Sequence, residues 1–356
     1  MIIHQASADW LFRPAWPLDR QAADAARAHQ QQLTKPDGSL GELERIAERF
    51  AAWQGRPDPR LEHLVIRVFA ADHGICAKGV SAFPQGVTAQ MIGNFLQGGA
   101  AINVLARQLG ADLQVYSLGT VAAPPALPGL RDCSIAPGTY DFSEQTAMSL
   151  ESLVRALRVG AESVPEGTLH LFVGGEMGIG NTTAAAALVS ALLVLPPEMT
   201  VGSGTGVDLA GLARKRGAVE RGLALHGEAI RTADCPALAA LERLGGFEIA
   251  ALAGAYIRCA QRGIGVLVDG YISTAAALCA VLINPQVRDW MLFGHVSAEP
   301  AHRHVLEHLN AVPLLNLGLR LGEGSGAALA VPLLQAALNL HNGMASFARA
   351  GVDNRQ

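Results

Sequence analysis

The 356-residue sequence predicts an α/β protein: a mostly parallel sheet with helices on both faces. Three observations predict it. Five short apolar runs each stop at a glycine-bearing turn, and long Ala/Leu-rich segments separate them. Glycine is abundant, at 39 residues, while aromatics make up only 5%. Many tight turns and close helix–strand packing call for that composition; an aromatic-rich β-sandwich does not.

The elements follow in order. Residues 20–54 read as helices with polar faces, and Ser39-Leu-Gly-Glu42 has capping-box spacing just before Leu43, Ile46 and Ala47. Residues 55–61 hold two prolines and form a linker. The texture then changes. Run 65–70 ends in Ala71-Asp72-His73-Gly74, run 113–118 in Gly119, and run 169–173 in Gly174-Gly175. Run 265–268 ends in Asp269-Gly270 and run 290–293 in Gly294-His295. Helices are expected over 87–109, 144–163, 182–194, 247–261, 273–283 and 326–350. The last should pack with the N-terminal helices. Residues 1–60 with 326–356 would then form a small helical subdomain, and 61–325 a large α/β domain that carries the chemistry. Ligands of open parallel sheets bind beyond the carboxyl ends of the strands, where these Gly, Asp and His residues fall.

Composition narrows the function. The formal net charge is −4, charged residues make up 16% and hydrophobic residues 50%, the opposite of a disordered chain. With no Lys/Arg stripe, nucleic acid is not expected as a partner. The start, MIIHQASADW, lacks a basic region followed by an apolar stretch, so no signal peptide is expected. The longest apolar stretches, such as 183–196, fall short of the ~20 residues of a membrane span. Five scattered cysteines without a CxxC pair predict a reduced, cytoplasmic protein with no structural zinc.

Three glycine-rich stretches could carry chemistry. Gly175-Glu176-Met-Gly178-Ile-Gly180-Asn181-Thr182 nearly matches a P-loop, with Asn181 in place of the lysine. Such a turn offers backbone N–H groups to an anion. Without the lysine that reaches β/γ-phosphates, a single phosphate is the expected guest; the alternative is a plain strand-to-helix turn. Gly202-Ser-Gly204-Thr-Gly206-Val-Asp208 lacks the third glycine and the preceding strand of a dinucleotide fingerprint. It could form a second wall of N–H groups, with Lys215 either supplying countercharge or simply solvated. In Arg320-Leu321-Gly-Glu323-Gly-Ser-Gly326 a lone glutamate stands among glycines before an apolar helix. It is either a general base whose pKa an apolar pocket raises or an acidic residue favoured by a helix N-terminus. His302, His304 and His308 fall at helical spacing and read as a solvated face rather than a metal site. No HExxH and no G-x-S-x-G at a strand-to-helix turn occurs.

Together with 33–41 (LTKPDGSLG), Ala71-Asp-His-Gly74, 79–84 (GVSAFP), Val87-Thr88, Val268-Asp-Gly270 and His295-Val-Ser-Ala-Glu299, these blocks match one family in order and spacing. From about residue 20 to about 347 the sequence resembles the nicotinate-nucleotide:5,6-dimethylbenzimidazole phosphoribosyltransferases of the cobalamin lower-ligand pathway. The resemblance implies transfer of phosphoribose from nicotinate mononucleotide to a benzimidazole, giving α-ribazole phosphate and nicotinate. It implies a homodimer with a Rossmann-like parallel sheet and a small helical domain, no cofactor and no metal. It puts the general base on Glu323 and a second active-site glutamate on Glu176. The phosphate site falls on Gly178, Gly180, Asn181 and Thr182, on the 202–206 loop around Gly204, and on Lys215. Asp269 and Ser297 line the site, and Phe83, Met91 and Leu321 fall at the base pocket. Phe83 and Met91 replace two polar residues of a well-known member, and Ser117 stands where an aspartate often follows the second strand. Transfer to another base or a phenol, and a non-catalytic nucleotide-binding regulator, are the alternatives.

Overall fold

The computed structural model describes residues 8–204 and 206–353. Residues 1–7, with which the signal-peptide reading begins, Thr205 in the second glycine loop, and residues 354–356 lie outside the described residues.

Among the described residues seven strands form one sheet. They are β1 Leu64–Ala71, β2 Asp112–Gly119, β3 Leu130–Asp132, β4 Leu171–Met177, β5 Gly265–Val268, β6 Met291–His295 and β7 Pro313–Leu315. The order is β3-β2-β1-β4-β5-β6-β7 and every neighbouring pair is parallel. The chain therefore works outwards from the β1–β4 pair in two directions, as the predicted fold class requires. All eight residues of β1 are buried, as expected of a strand covered on both faces. Its one charge, Arg67, donates to the carbonyls of Ile66, Asp112 and Ser163 and pairs with the Asp112 carboxylate at 2.8 Å.

The helices are α1 Arg20–Gln32, α2 Glu42–Gln54, α3 Val87–Leu96, α4 Ala101–Leu109, α5 Leu150–Glu162, α6 Asn181–Leu193 and α7 Pro197–Thr200. Then come α8 Leu209–Arg231, α9 Pro236–Leu244, α10 Phe247–Gln261, α11 Tyr271–Ile283, α12 His302–His308, α13 Ser325–Gly343 and α14 Phe347–Ala350. Helix α10 lies along β1, β4 and β5 with α11 at its side, and α13 packs on β4, β6 and β7 next to α4 and α2. Helices α5 and α10 cross backbone to backbone. A Cβ at Gly160 would strike the Ala251 carbonyl, and one at Gly254 the Leu157 carbonyl.

The N-terminal helices meet the C-terminal one. Leu33 bridges to Ser346, and His29 and Gln30 bond His341. The Trp53 indole donates to the Asp289 carbonyl and stacks on Trp290. One hydrophobic core runs from Ile46, Phe50 and Trp53 into the sheet.

Several local expectations are corrected. Gly174 and Gly175 belong to β4 itself, not to the turn after it. A side chain at Gly174 would meet Leu252 and Tyr256 of α10, and one at Gly175 would land on the Glu323 carbonyl. Layers press in on both faces there, so the strand needs both glycines. Ser39 caps nothing: Gly41, at φ +55°, precedes α2, and Glu44 takes the Leu40 N–H and the Lys35 ammonium. The expected 87–109 helix breaks at Gly98, φ +79°, and restarts as α4, where Asn103 accepts the Ala100 N–H. The 144–163 helix begins only at Leu150, capped by Ser149, and the 326–350 segment divides into α13 and α14. Strands β3 and β7 escape the sequence because each is three residues long. Helix α8 escapes because its buried positions include Gly211, Lys215, Ala218, Gly222 and His226, which give no apolar rhythm.

Candidate active site

A cleft opens beyond the carboxyl ends of β4 to β7. Glu176 enters it from the end of β4, Gly178, Asn181 and Thr182 from the start of α6, and Gly270 and Tyr271 from the start of α11. His295, Ser297 and Glu299 follow β6, and Arg320, Leu321 and Gly322 follow β7; Gly204 closes the ring. Seven residues expected at the site thus share one wall: Glu176, Gly178, Asn181, Thr182, Gly204, Ser297 and Leu321.

One end of the cleft is built from two facing loops. Gly180, at φ +99°, turns the chain into α6 with no side-chain cap; the Asn181 and Thr183 N–H groups are taken by the Gly178 and Gly180 carbonyls, which leaves the N–H of Thr182, a cleft residue, for an anion. The Ile179 N–H is already taken by the Thr88 hydroxyl at 3.1 Å, so it is not among the donors. Lys215 is buried, not solvated: its ammonium donates to the Gly202 carbonyl at 2.9 Å and to the Thr182 hydroxyl at 3.1 Å. Burial lowers its pKa to about 8, against the opposing pull of Glu299. The Gly204 N–H donates to the Glu299 carboxylate at 3.0 Å, and Arg320 donates to the Gly204 carbonyl at 3.2 Å. A Cβ on Gly204 would come within 2.9 Å of the Lys215 nitrogen, so a side chain there would crowd the cation.

Carboxyl groups crowd the other end. Glu176 is buried and accepts from the Asn181 amide. Burial, then repulsion from Asp269, Glu248 and Glu323, lifts its pKa to about 8 despite that bond. Asp269 does not line the cleft. It holds the loop behind it, accepting the Gly324 N–H at 3.2 Å and the Ala327 N–H at 2.7 Å. Burial raises its pKa, and His295 works against the rise. Glu323 sits just before α13 at φ +64°, a left-handed geometry that a side chain normally avoids. It is not among the residues lining the cleft. Burial raises its pKa, an N–H from Ile102 at the start of α4 opposes this, and its Oε2 is buried with no partner.

The remaining expected residues lie apart. Phe83 is 51% exposed in the loop before α3 and Met91 is partly buried on α3; neither lines the cleft that Leu321 borders. Ser117 is fully buried within β2. His302 corrects the reading of a solvated histidine face. It is buried, accepts the Ser297 N–H at Nδ1 (2.7 Å) and therefore donates from Nε2 to the Thr274 hydroxyl (2.9 Å). Burial, with His295 and Arg303 nearby, drives its pKa down to about 3. Its role is to orient a cleft residue.

Sequence reasoning missed Glu299, Arg320 and His295 as site residues, although all three stand inside the quoted blocks. It also missed Glu248, whose bond to His73 crosses 175 positions of sequence and leaves no local pattern.

A phosphoribosyltransferase family model matches residues 15–352. The nicotinate-nucleotide–dimethylbenzimidazole phosphoribosyltransferase of Pseudomonas aeruginosa (strain UCBPP-PA14) is 56% identical over 98% of this chain and 99% of its own. The enzyme of that name from Azotobacter vinelandii is 57% identical over 97% and 98%. The crystal structure of CobT from Thermus thermophilus superposes with a TM-score of 0.88 at 47% identity, covering 94% of this chain and all of that one.

Proposed function

The chain belongs to the nicotinate-nucleotide–dimethylbenzimidazole phosphoribosyltransferase family, and we propose that Glu323 is the base and Glu176 the charge-stabilising group of its transfer. The enzyme moves phosphoribose from nicotinate mononucleotide to 5,6-dimethylbenzimidazole, a step of cobalamin synthesis, and releases nicotinate.

In this reading the donor's phosphate lies between the α6 N-terminus, the Gly204 loop and Lys215. The support is a buried ammonium with no carboxylate in direct contact among the described residues, beside the uncapped start of α6. The ribose and pyridinium then reach Glu176. Before the donor binds, at pH 7, that carboxyl holds a proton. A cationic ring beside it favours the ionised form, so negative charge appears where the oxocarbenium ion develops. The leaving group is already a cation and departs as nicotinate without a general acid. No pyrophosphate needs neutralising, so the reaction is read as metal-free. Attack from the opposite face by one ring nitrogen of the benzimidazole inverts the anomeric carbon from β to α.

The observation that carries the base assignment is the Glu323 carboxyl. Its Oε2 is buried and unpartnered and its proton affinity is raised, so it is free to take the proton from the second ring nitrogen. The reading includes a base pocket reached by Leu321, Met91 and Phe83 and a homodimer, both on the strength of the resemblance. It also includes a reducing, cytoplasmic setting, with five free cysteines as support. Among the described residues no helix is long and apolar enough to cross a membrane. Single-turnover mixing of enzyme, nicotinate mononucleotide and dimethylbenzimidazole tests the roles: Glu323→Gln should slow the chemical step while substrate affinities hold. Equal turnover in parent and variant would remove Glu323 as the base.

A further inference from the structure

The turn after β1 carries a buried pair that the transfer mechanism does not use. The His73 Nε2 and Glu248 Oε1 atoms are 2.7 Å apart, and the two side chains are 1% and 0% exposed. Burial alone would strip the proton from His73. The charge and hydrogen bond of Glu248, with Asp72 beyond, outweigh it and raise the His73 pKa. The far atoms, His73 Nδ1 and Glu248 Oε2, are buried without partners, so the pair is committed to itself.

What rests on the pair is the donor cradle. A Cβ on Gly178 would lie 3.3 Å from His73 Nε2 and 3.4 Å from Glu248 Oε1, so Gly178 sits directly against the couple. A Cβ on Gly180 would lie 3.3 Å from the His73 Cβ. The residue between them is gripped by that turn and by α3: Thr88 of α3 accepts the Ile179 N–H, and the Cys76 thiol of the turn donates to the Ile179 carbonyl at 2.8 Å. Gln85 in turn donates to the His73 carbonyl. From behind, Gly246 has no room for a side chain, since a Cβ would come within 2.6 Å of Glu248 Oε2. The loop therefore rests on the end of β1, where a Cβ on Gly178 would strike the Ala71 carbonyl, and on the hydrogen-bonded pair supplied by the turn after β1 and by α10.

We propose that His73 and Glu248 form a positioning couple that sets the height of the Gly178–Gly180 loop over the end of β4 and thereby the affinity for the donor's phosphate. The proposal rests on the reading that this loop receives the phosphate. Neither residue touches substrate; both act through the loop. Removing the Glu248 side chain leaves the buried His73 Nε2 without a partner and opens space beneath the loop, which then sinks, whereas an amide at 248 fills that space and still offers His73 an acceptor.

The test is isothermal titration of the parent, Glu248→Ala and Glu248→Gln with nicotinate mononucleotide, nicotinate riboside and dimethylbenzimidazole. Glu248→Ala should weaken nicotinate mononucleotide at least ten-fold and leave the riboside and the base within two-fold. Glu248→Gln should recover donor affinity to within three-fold of the parent. If Glu248→Ala does not fold, Glu248→Asp, which draws the carboxylate back from His73, carries the same ten-fold expectation. Donor affinity within two-fold of the parent in the folded variant overturns the couple, and so does an equal loss for all three ligands, which marks a merely structural pair. A parent that binds nicotinate mononucleotide no better than the riboside overturns the phosphate reading itself, and the couple with it.

Discussion

Glutamine at position 323 keeps the size of the side chain and removes its basicity. General-base catalysis contributes ~10²–10⁴-fold, so Glu323→Gln should lower kcat by about that factor with KM for nicotinate mononucleotide little changed. Steady-state kinetics decide it, and a loss of only a few-fold contradicts the assignment. Lys215 makes a second residue-level prediction. Charge-assisted contacts to phosphate contribute about 1.5–3 kcal/mol, so Lys215→Ala should raise Kd for nicotinate mononucleotide roughly 10- to 150-fold and leave nicotinate riboside nearly untouched. The sign with pH follows from burial. The pKa of Lys215 is depressed to about 8, so the free enzyme holds a cation there below pH 8 and loses it above. Donor affinity should fall as pH rises through about 8, a dependence absent for the riboside and in Lys215→Ala; titration calorimetry at pH 7 and pH 9 reads it. Much of this was legible in the sequence. Glu176, Asn181, Thr182 and Lys215 were expected at the site and stand around one cleft or directly beneath it. Other features were not legible. Phe83 is 51% exposed, and the 79–86 loop is tied down by Gln85 on the His73 carbonyl, a bond no composition reveals. The burial of His302 depends on Thr274 and Ser297, neither predictable from helical spacing.

At the scale of elements, two glycines separate stability from function. Gly160 lets α5 touch α10 far from the cleft, while Gly175 lets the Glu323 loop lie on β4. Overpacking of this kind costs about 1–3 kcal/mol. Gly160→Ala and Gly175→Ala should both lower Tm, yet only Gly175→Ala should lower kcat of the folded enzyme, by ten-fold or more. Equal kcat in the two variants would detach the loop's position from catalysis. The strand-and-helix alternation was readable because β1 and β4–β6 are apolar runs ended by glycine. The edge strands and α8 were not, since three-residue strands and a helix burying Gly, Lys and His give the eye no period. The Gly174-Gly175 pair was misplaced for a physical reason: glycine signals a turn or a close approach equally well, and only the packing of α10 and the Glu323 loop on either face shows which applies.

For the molecule as a whole, the carboxyl ends of β1 and β4 to β7 gather the Lys215 cation and six buried acids, Asp72, Glu176, Glu248, Asp269, Glu299 and Glu323, at one end of the sheet. Because the leaving group carries its own positive charge, activity should survive exhaustive EDTA treatment; a loss restored by Mg²⁺ or Zn²⁺ would contradict the metal-free route. The most direct measurement of the central claim is product analysis by NMR after mixing the enzyme with nicotinate mononucleotide and 5,6-dimethylbenzimidazole. One nicotinate should appear for each dimethylbenzimidazole riboside phosphate formed, and the anomeric signal should be that of the α form. No release of nicotinate, or a β-linked product, would contradict it.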